Sequence, residues 1–376
     1  MSRAIPTLAL LLCCGCAAAT RGPGTAAPPG PAAGKAPYDT APVTTSPIDI
    51  AVDARAARAI LSLLARPKLE TSDVKVLEDL PAVRLAIQDS TRDAAVFERD
   101  FAAAFQSDTG AAVFDFRSIR EKRERWEALL EAVFVRQADL VRLSQRRAAA
   151  FLPADRPSAA RLEVNFSFGL PGLEDHLVIR SAQGPERMVI DFARALGDAE
   201  GETAEGRVSR LSRLIAGEAF RQAWNHYREE SPAWKRPDPQ LGQLEPLLKI
   251  VAAAGPVGLF TVDENFFPLA VWLKDPNRRA VEELNRRAER FASSQESLDA
   301  RMELMSEVRR PEFGRRIAGP IGAFLADAIA QEEGVGALRA ALEQGPRAFF
   351  AAYDRASQKN KNLIALAKPI REKLIH

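Results

Sequence analysis

Apolar residues recur at helical spacing through most of the chain beyond residue 47. From Asp53 to Leu64, the positions Ala56, Ala57, Ile60, Leu61 and Leu64 share one side of a predicted helix that ends near Pro67. Further short helices are predicted from Ser72 or Asp73 to the turn at Asp79-Leu80-Pro81, over Val83 to Ile87, and over Val96 to Phe105. A longer run, Arg120 to Arg147, carries Trp126, Leu129, Leu130, Val133 and Phe134 as its inward stripe and closes at Pro153 and Pro157. Its alternating charges read as a solvated face, and Arg136, Arg142, Arg146 and Arg147 gather toward the end where a helix favours cations.

The period then changes from helical to alternating. In Arg161 to Phe168 the residues Leu162, Val164, Phe166 and Phe168 face one way and Glu163, Asn165 and Ser167 the other, as in a half-buried strand. His176 to Arg180 and Met188 to Phe192 predict two more strands, separated by Ala182-Gln183-Gly184-Pro185. A small mixed or antiparallel sheet thus precedes a helix over Glu205 to Tyr227, which places Leu211, Leu214, Ile215, Glu218 and Arg221 at helical spacing. Beyond it, Glu229 to Pro239 is irregular with Trp234 as a packing plug. Leu241 to Ala254 is an apolar helix cut at Gly255-Pro256, and Phe260, Phe266, Phe267 and Trp272 surround a turn at Val262 to Asn265. Ala280 to Met305 is a charged outer helix; Gly314 to Ile329 and Phe349 to Tyr353 are apolar; Lys359 to Lys373 is a basic amphipathic run read as a solvated tail, with contact to anionic lipid as the alternative.

With 376 residues, 47% hydrophobic, the chain is long enough for a substantial core. Its 52 basic and 50 acidic residues nearly cancel, which gives no electrostatic reason to expect nucleic acid as a partner. All three cysteines, Cys13, Cys14 and Cys16, lie at the N-terminus, so the main body has no disulfide framework, thiolate metal site or cysteine nucleophile. Arg3, the apolar Leu8 to Leu12 and the small residues after them read as a secretory signal. Cys13-Cys14-Gly15-Cys16 resembles a bacterial lipobox, which makes Cys16 the lipidated first mature residue and membrane lipid a partner. Residues 17–47, rich in Ala, Pro, Gly and Thr, read as a flexible tether. The organisation expected is a signal peptide over 1–15, a tether over 16–47, a helical region over 48–157, a peptidase-like region over 158–358, and a basic helix or tail over 359–376. Residues 48–358 are expected to form one continuous unit.

The chemistry concentrates on Gly217-Glu218-Ala219-Phe220-Arg221. These residues fill the frame of a zinc-peptidase helix, H-E-x-x-H, in which two histidines one turn apart hold zinc and the glutamate serves its bound water as base. Only the carboxylate, Glu218, is in place. Glycine offers no donor, and Arg221 brings a fixed positive charge to the place of a cation but is well spaced to pair with Glu218. An alternative metal set is His176 and His226 with Glu218 or Asp191. Glu174 and Asp175 beside the sheet, with Glu218, are candidates for the paired carboxylates of glycoside hydrolysis, although nothing in the sequence fixes their separation and carboxylates on turns are ordinarily solvated. No nucleophile elbow and no phosphate loop are present.

Together these residues resemble a bacterial family of zinc-dependent peptidases of the gluzincin type. Gly314 to Leu325 looks like the family's C-terminal helix, and Gly345-Pro346-Arg347-Ala348-Phe349-Phe350-Ala351-Ala352-Tyr353 like its closing motif. The resemblance implies an α+β, mainly helical, zincin-like domain with a small sheet before the active-site-like helix. It also implies that Glu218 matches the general base and Ala254 stands where a third-ligand glutamate would, the cleft being Gly217, Glu218, Arg221 and Ala254. The resulting expectation is a non-catalytic envelope lipoprotein without a cofactor, binding a peptide or envelope protein in the inherited cleft, where the strand around Val164 to Phe168 pairs with an extended chain and Glu218 with Arg221 gives the floor a polar contact. The alternatives are a zinc hydrolase with rearranged ligands and a purely structural envelope protein. No feature sets the oligomeric state.

Overall fold

The computed structural model describes residues 48–90, 93–106, 112–154, 160–171, 175–179, 185–197, 202–260, 275–293, 298–310 and 317–374. The lipobox with Cys16, the tether, Glu174, the turn at Val262 to Asn265 and His376 lie outside them. Strand β1 (Ile48–Asp53) leads into α1 (Arg55–Leu64), α2 (Thr71–Glu78), α3 (Pro81–Asp89), α4 (Ala94–Ala103), α5 (Phe116–Glu121), α6 (Arg123–Phe134) and α7 (Gln137–Ala150). Three strands follow, β2 (Ala160–Ser167), β3 (His176–Ile179) and β4 (Glu186–Asp191), then α8 (Phe192–Leu196), the long α9 (Ala204–Glu230) and α10 (Pro232–Lys235). The remainder is helical: α11 (Glu245–Gly258), α12 (Asp275–Ala292), α13 (Leu298–Arg309), α14 (Gly319–Glu333), α15 (Val335–Gln344), α16 (Pro346–Lys359) and α17 (Lys368–Glu372). This is the mainly helical α+β arrangement expected, with a small mixed sheet ahead of the helix that carries Glu218.

The sheet order is β1-β2-β4-β3. β1, β2 and β4 run parallel and β3 is antiparallel to β4. Parallel neighbours cannot be joined by a hairpin, so the helices from α1 to α7 form the crossover from β1 to β2. Strand β2 is therefore interior and its alternation is misleading: Leu162, Val164 and Phe166 are buried, but so are Asn165 and Ser167. The expectation that an extended chain pairs with Val164 to Phe168 is thus corrected, because both edges of β2 are occupied by β1 and β4. The outer strand is β3. Asp191 N–H donates to Asp175 O at 2.8 Å, so the antiparallel alternation turns the backbone polar groups of His176 and Val178 away from β4. Among the described residues no strand pairs with that edge.

Other departures have local causes. The run from Arg120 to Arg147 is divided into separate helices, because the backbone leaves helical geometry at Lys122 (φ −106°, ψ 19°) and Arg136 (φ −108°, ψ 22°). Arg147 is not on a solvated face: it is buried, and its guanidinium donates to Ser209 O at 2.5 Å, Ser212 Oγ at 2.6 Å and Ser209 Oγ at 2.9 Å, tying α7 to α9. Nor is the basic C-terminal run a solvated tail. Leu363, Leu366 and Ile370 are buried. Asn285 of α12 clasps its backbone, donating to Ala365 O at 2.9 Å and accepting from Ala367 N–H at 2.8 Å. Trp234 does plug the core as expected, its indole donating to Leu342 O at 2.7 Å.

Helix α11 continues one turn past the expected break at Gly255-Pro256. Its glycine lets α14 cross at backbone contact: a Cβ on Gly255 would lie 2.5 Å from Gly322 O, and one on Gly322 would lie 2.6 Å from Gly255 Cα. Gly322→Ala is therefore expected to destabilise the protein by ~2–3 kcal/mol, as overpacking a rigid crossing does. Gly336→Ala, where nothing lies within 4 Å, should stabilise by about 0.5–1 kcal/mol. Urea unfolding midpoints for the two variants check both.

Candidate functional site

The site is built on α9. Its N-terminus is capped by Thr203, whose Oγ1 accepts from Gly206 N–H at 3.1 Å. Its inner face buries Leu211, Ile215, Ala219, Phe220, Ala223, Trp224 and Tyr227. Phe220, Trp224 and Tyr227 stack in succession, with Trp234 edge-on to Trp224 at 4.9 Å between ring centroids. The indole of Trp224 donates to Ala253 O at 2.8 Å, which sets α11, and with it Ala254, beside α9.

Glu218, only 8% exposed, accepts from Arg221 Nε at 2.9 Å on both carboxylate oxygens and is also bonded by Arg221 Nη2. The same Nη2 donates to Glu186 Oε2 at 2.6 Å, so one guanidinium joins α9 to the start of β4. Burial disfavours the charge of Arg221, yet the hydrogen bonds and charges of Glu218 and then Glu186 outweigh it and hold the guanidinium above the ordinary arginine range. The ion pair expected between Glu218 and Arg221 is present. Glu186 went unnoticed in the sequence, since an acid at a strand start far from the motif carries no local signal.

Gly217 has a second role. A Cβ there would lie 2.7 Å from Phe260 Cβ, and Phe260 in turn packs on Phe220 and Phe151 with ring centroids at 5.1 and 5.7 Å. The space a first histidine would use is thus filled by an aromatic side chain from the end of α11.

Zinc needs three protein donors and an open position. At the two histidine places of the frame stand a glycine packed against Phe260 and an arginine held by two carboxylates, and Ala254, the residue that the resemblance would set at the third place, is hydrocarbon. The residues present do not fit the ion. The alternative set does not assemble either: among the described residues no group of three His, Cys, Asp or Glu is placed to hold a metal. His226 lies about 12 Å further along the helix than Glu218 and faces Glu230 at 3.5 Å. His176 is bonded through Nδ1 to Asp175 Oδ1 at 2.6 Å, a bond that holds the Asp175 carboxyl below its usual range, against the opposing effect of burial. Asp191 caps α8, accepting from Arg194 N–H at 3.1 Å and Leu170 N–H at 2.8 Å. Of the carboxylates expected for paired acid-base chemistry, Asp175 is bonded to His176 and Glu218 to Arg221.

The fold and this helix define a peptidase-like protein in which the zinc-binding frame lacks its donors. The chain belongs to the family described as "Putative zinc dependent peptidase (DUF5700)", whose model matches residues 75–362. No curated protein and no solved structure matches the chain. The match takes in the frame at Gly217 to Arg221 and the closing motif, where Gly345 has φ +98° and passes so close to α10 that a Cβ would lie 2.7 Å from Ala233 O.

Because Arg221 bonds the buried Glu218 and the half-buried Glu186, Arg221→Ala is expected to cost ~3–5 kcal/mol by removing the cation from the Glu218 carboxylate. Glu218→Gln, which keeps an acceptor for the guanidinium, should cost only about 1–2 kcal/mol. Chemical denaturation of the two variants gives the comparison.

Proposed function

We propose that this protein is a non-catalytic, peptidase-like module that binds an extended peptide or envelope protein, held at the bacterial envelope by lipid on Cys16. The observation that carries the first part is the occupation of Glu218. A general base must reach a metal-bound water, whereas both oxygens of this carboxylate accept from Arg221. Glu218 here is a structural anchor of α9 on the sheet.

Binding without cleavage is supported by the outer edge of β3. Main-chain hydrogen bonds to an exposed strand are a general way to hold an extended chain, and His176 and Val178 turn their backbone groups outward there. Lipidation at Cys16 is supported by the Cys-Gly-Cys sequence after an apolar run, and the tether would let the folded part stand off the surface.

Two measurements test this reading. After incubation with zinc and desalting, the full chain is expected to retain no stoichiometric zinc and to leave labelled casein intact. One retained equivalent, with cleavage that is lost in Glu218→Gln, would overturn it. Fluorescence polarisation with the same casein, an unfolded polypeptide, is expected to show binding that Val178→Pro weakens about tenfold, since it removes one outward N–H. Mass spectrometry of membrane-extracted protein should show acyl chains on Cys16 that vanish in Cys16→Ser.

A further inference from the structure

The C-terminal run is a basic surface laid on the body of the protein. Between Lys359 and Leu374 the sequence places five cations, Lys359, Lys361, Lys368, Arg371 and Lys373, against one acid, Glu372. The chain as a whole is nearly neutral, so this excess is local. Leu363, Leu366 and Ile370 are buried, and Asn285 holds the backbone at Ala365 and Ala367. Lys361, Lys368, Arg371 and Lys373 are all exposed. In α17 the helical step sets Lys368 and Arg371 on the side away from the buried Ile370. A fixed backbone thus displays these cations, so little chain entropy remains to be lost when they meet a partner.

The protein's own acids leave most of this charge unmet. Lys359 is taken by Glu333, which also holds Arg355, and Glu332 is taken by Asn360. Lys368 faces Glu372 at 3.6 Å, but their side chains are 80% and 58% exposed, and so solvated a pair contributes little. Among the described residues Lys361, Arg371 and Lys373 make no ion pair. Helix α12, which packs against α17, carries four acids and five arginines and so does not offset the excess.

The character of the run selects among anionic partners. It holds no aromatic residue on which a base could stack. The half-buried Ile364 and Leu374 instead place hydrocarbon beside the cations, the composition that suits the boundary between headgroups and acyl chains. Residues 17–47 could span at most about 100 Å, so a body anchored at Cys16 stays within reach of the leaflet, and contacts that are weak singly are made at high effective concentration.

We infer that this face docks on anionic phospholipid, with Lys361, Lys368, Arg371 and Lys373 meeting headgroup phosphates, so that the folded body lies against the leaflet. The inference rests on the proposed anchorage at Cys16 only for the encounter, and on the peptide-binding reading not at all.

The test is cosedimentation of full-length Cys16→Ser protein with vesicles of phosphatidylcholine containing about one-third phosphatidylglycerol, compared with phosphatidylcholine alone. Because this variant carries no lipid, the result is readable whether or not Cys16 is acylated in the parent, and the neutral vesicles report any insertion of the apolar N-terminal run. Binding is expected to be tighter to the anionic vesicles, by a margin that shrinks as salt rises. Adding Lys361→Gln, Lys368→Gln and Arg371→Gln together should weaken binding to anionic vesicles about a hundredfold, or about fivefold for each cation. Binding to neutral vesicles and the urea unfolding midpoint should not change. Lys361→Arg with Lys368→Arg should bind as Cys16→Ser alone does. The inference is overturned if the two kinds of vesicle bind alike, or if the glutamine variant keeps the affinity of Cys16→Ser for anionic vesicles. It is equally overturned if duplex DNA at the same phosphate concentration binds more tightly than anionic vesicles and loses that binding in the glutamine variant.

Discussion

The arrangement of this protein depends on where the charge of Arg221 goes. A guanidinium this deeply set is tolerable only with its charge balanced and most of its donors used. Glu218 supplies the nearer carboxylate from the same helix, and Glu186 supplies the other from the sheet. Helix α9, the longest among the described residues, is thereby fixed to β4 by polar contacts, while Arg147 fixes the opposite flank of that helix to α7 through serine oxygens. Apolar burial alone would allow α9 to slide or rotate, because a helix face rich in Ala and Leu packs nearly as well in neighbouring positions. The two arginines remove that freedom.

Much of this was legible in the sequence, for identifiable reasons. The helical stripe Trp126, Leu129, Leu130 and Val133 is buried as its spacing says, since local periodicity records which way a helix faces. The i, i+3 spacing of Glu218 and Arg221 likewise announced their contact. What the sequence hides is non-local. The alternation in β2 suggests a strand with one wet face, yet β1 and β4 flank it and Asn165 and Ser167 lie inside. The alternating Ile48, Ile50 and Val52 form a strand that sequence reading passed over, because the segment is short and follows a low-complexity stretch. Its partner lies more than a hundred residues away in the chain. Glu186 was beyond reach for the same reason: it acquires its meaning from residues that only the fold brings near.

The small residues tell a related story. Gly217, Gly255 and Gly322 look in sequence like helix weak points. In the structure each permits a close approach that a methyl group would block, to Phe260, to Gly322 and to Gly255 respectively. Helices α9, α11 and α14 thus meet through glycine, and the aromatic rings of Phe220, Trp224 and Phe260 fill the wedge left between them. The region where a peptidase of this frame would open a metal-lined groove is instead a closed hydrophobic joint.

The contact between Gly217 and Phe260 also works as a ratchet. A histidine arriving at 217 meets an aromatic side chain before it meets any ion, so no single substitution there gains a ligand. The side chain at 260 would have to shrink first, leaving a void with no compensating benefit, and Arg221 would then have to be exchanged along with the charges it balances. Opening the void and unbalancing the charges each cost stability when made alone, so a metal centre at this joint would require several changes made together.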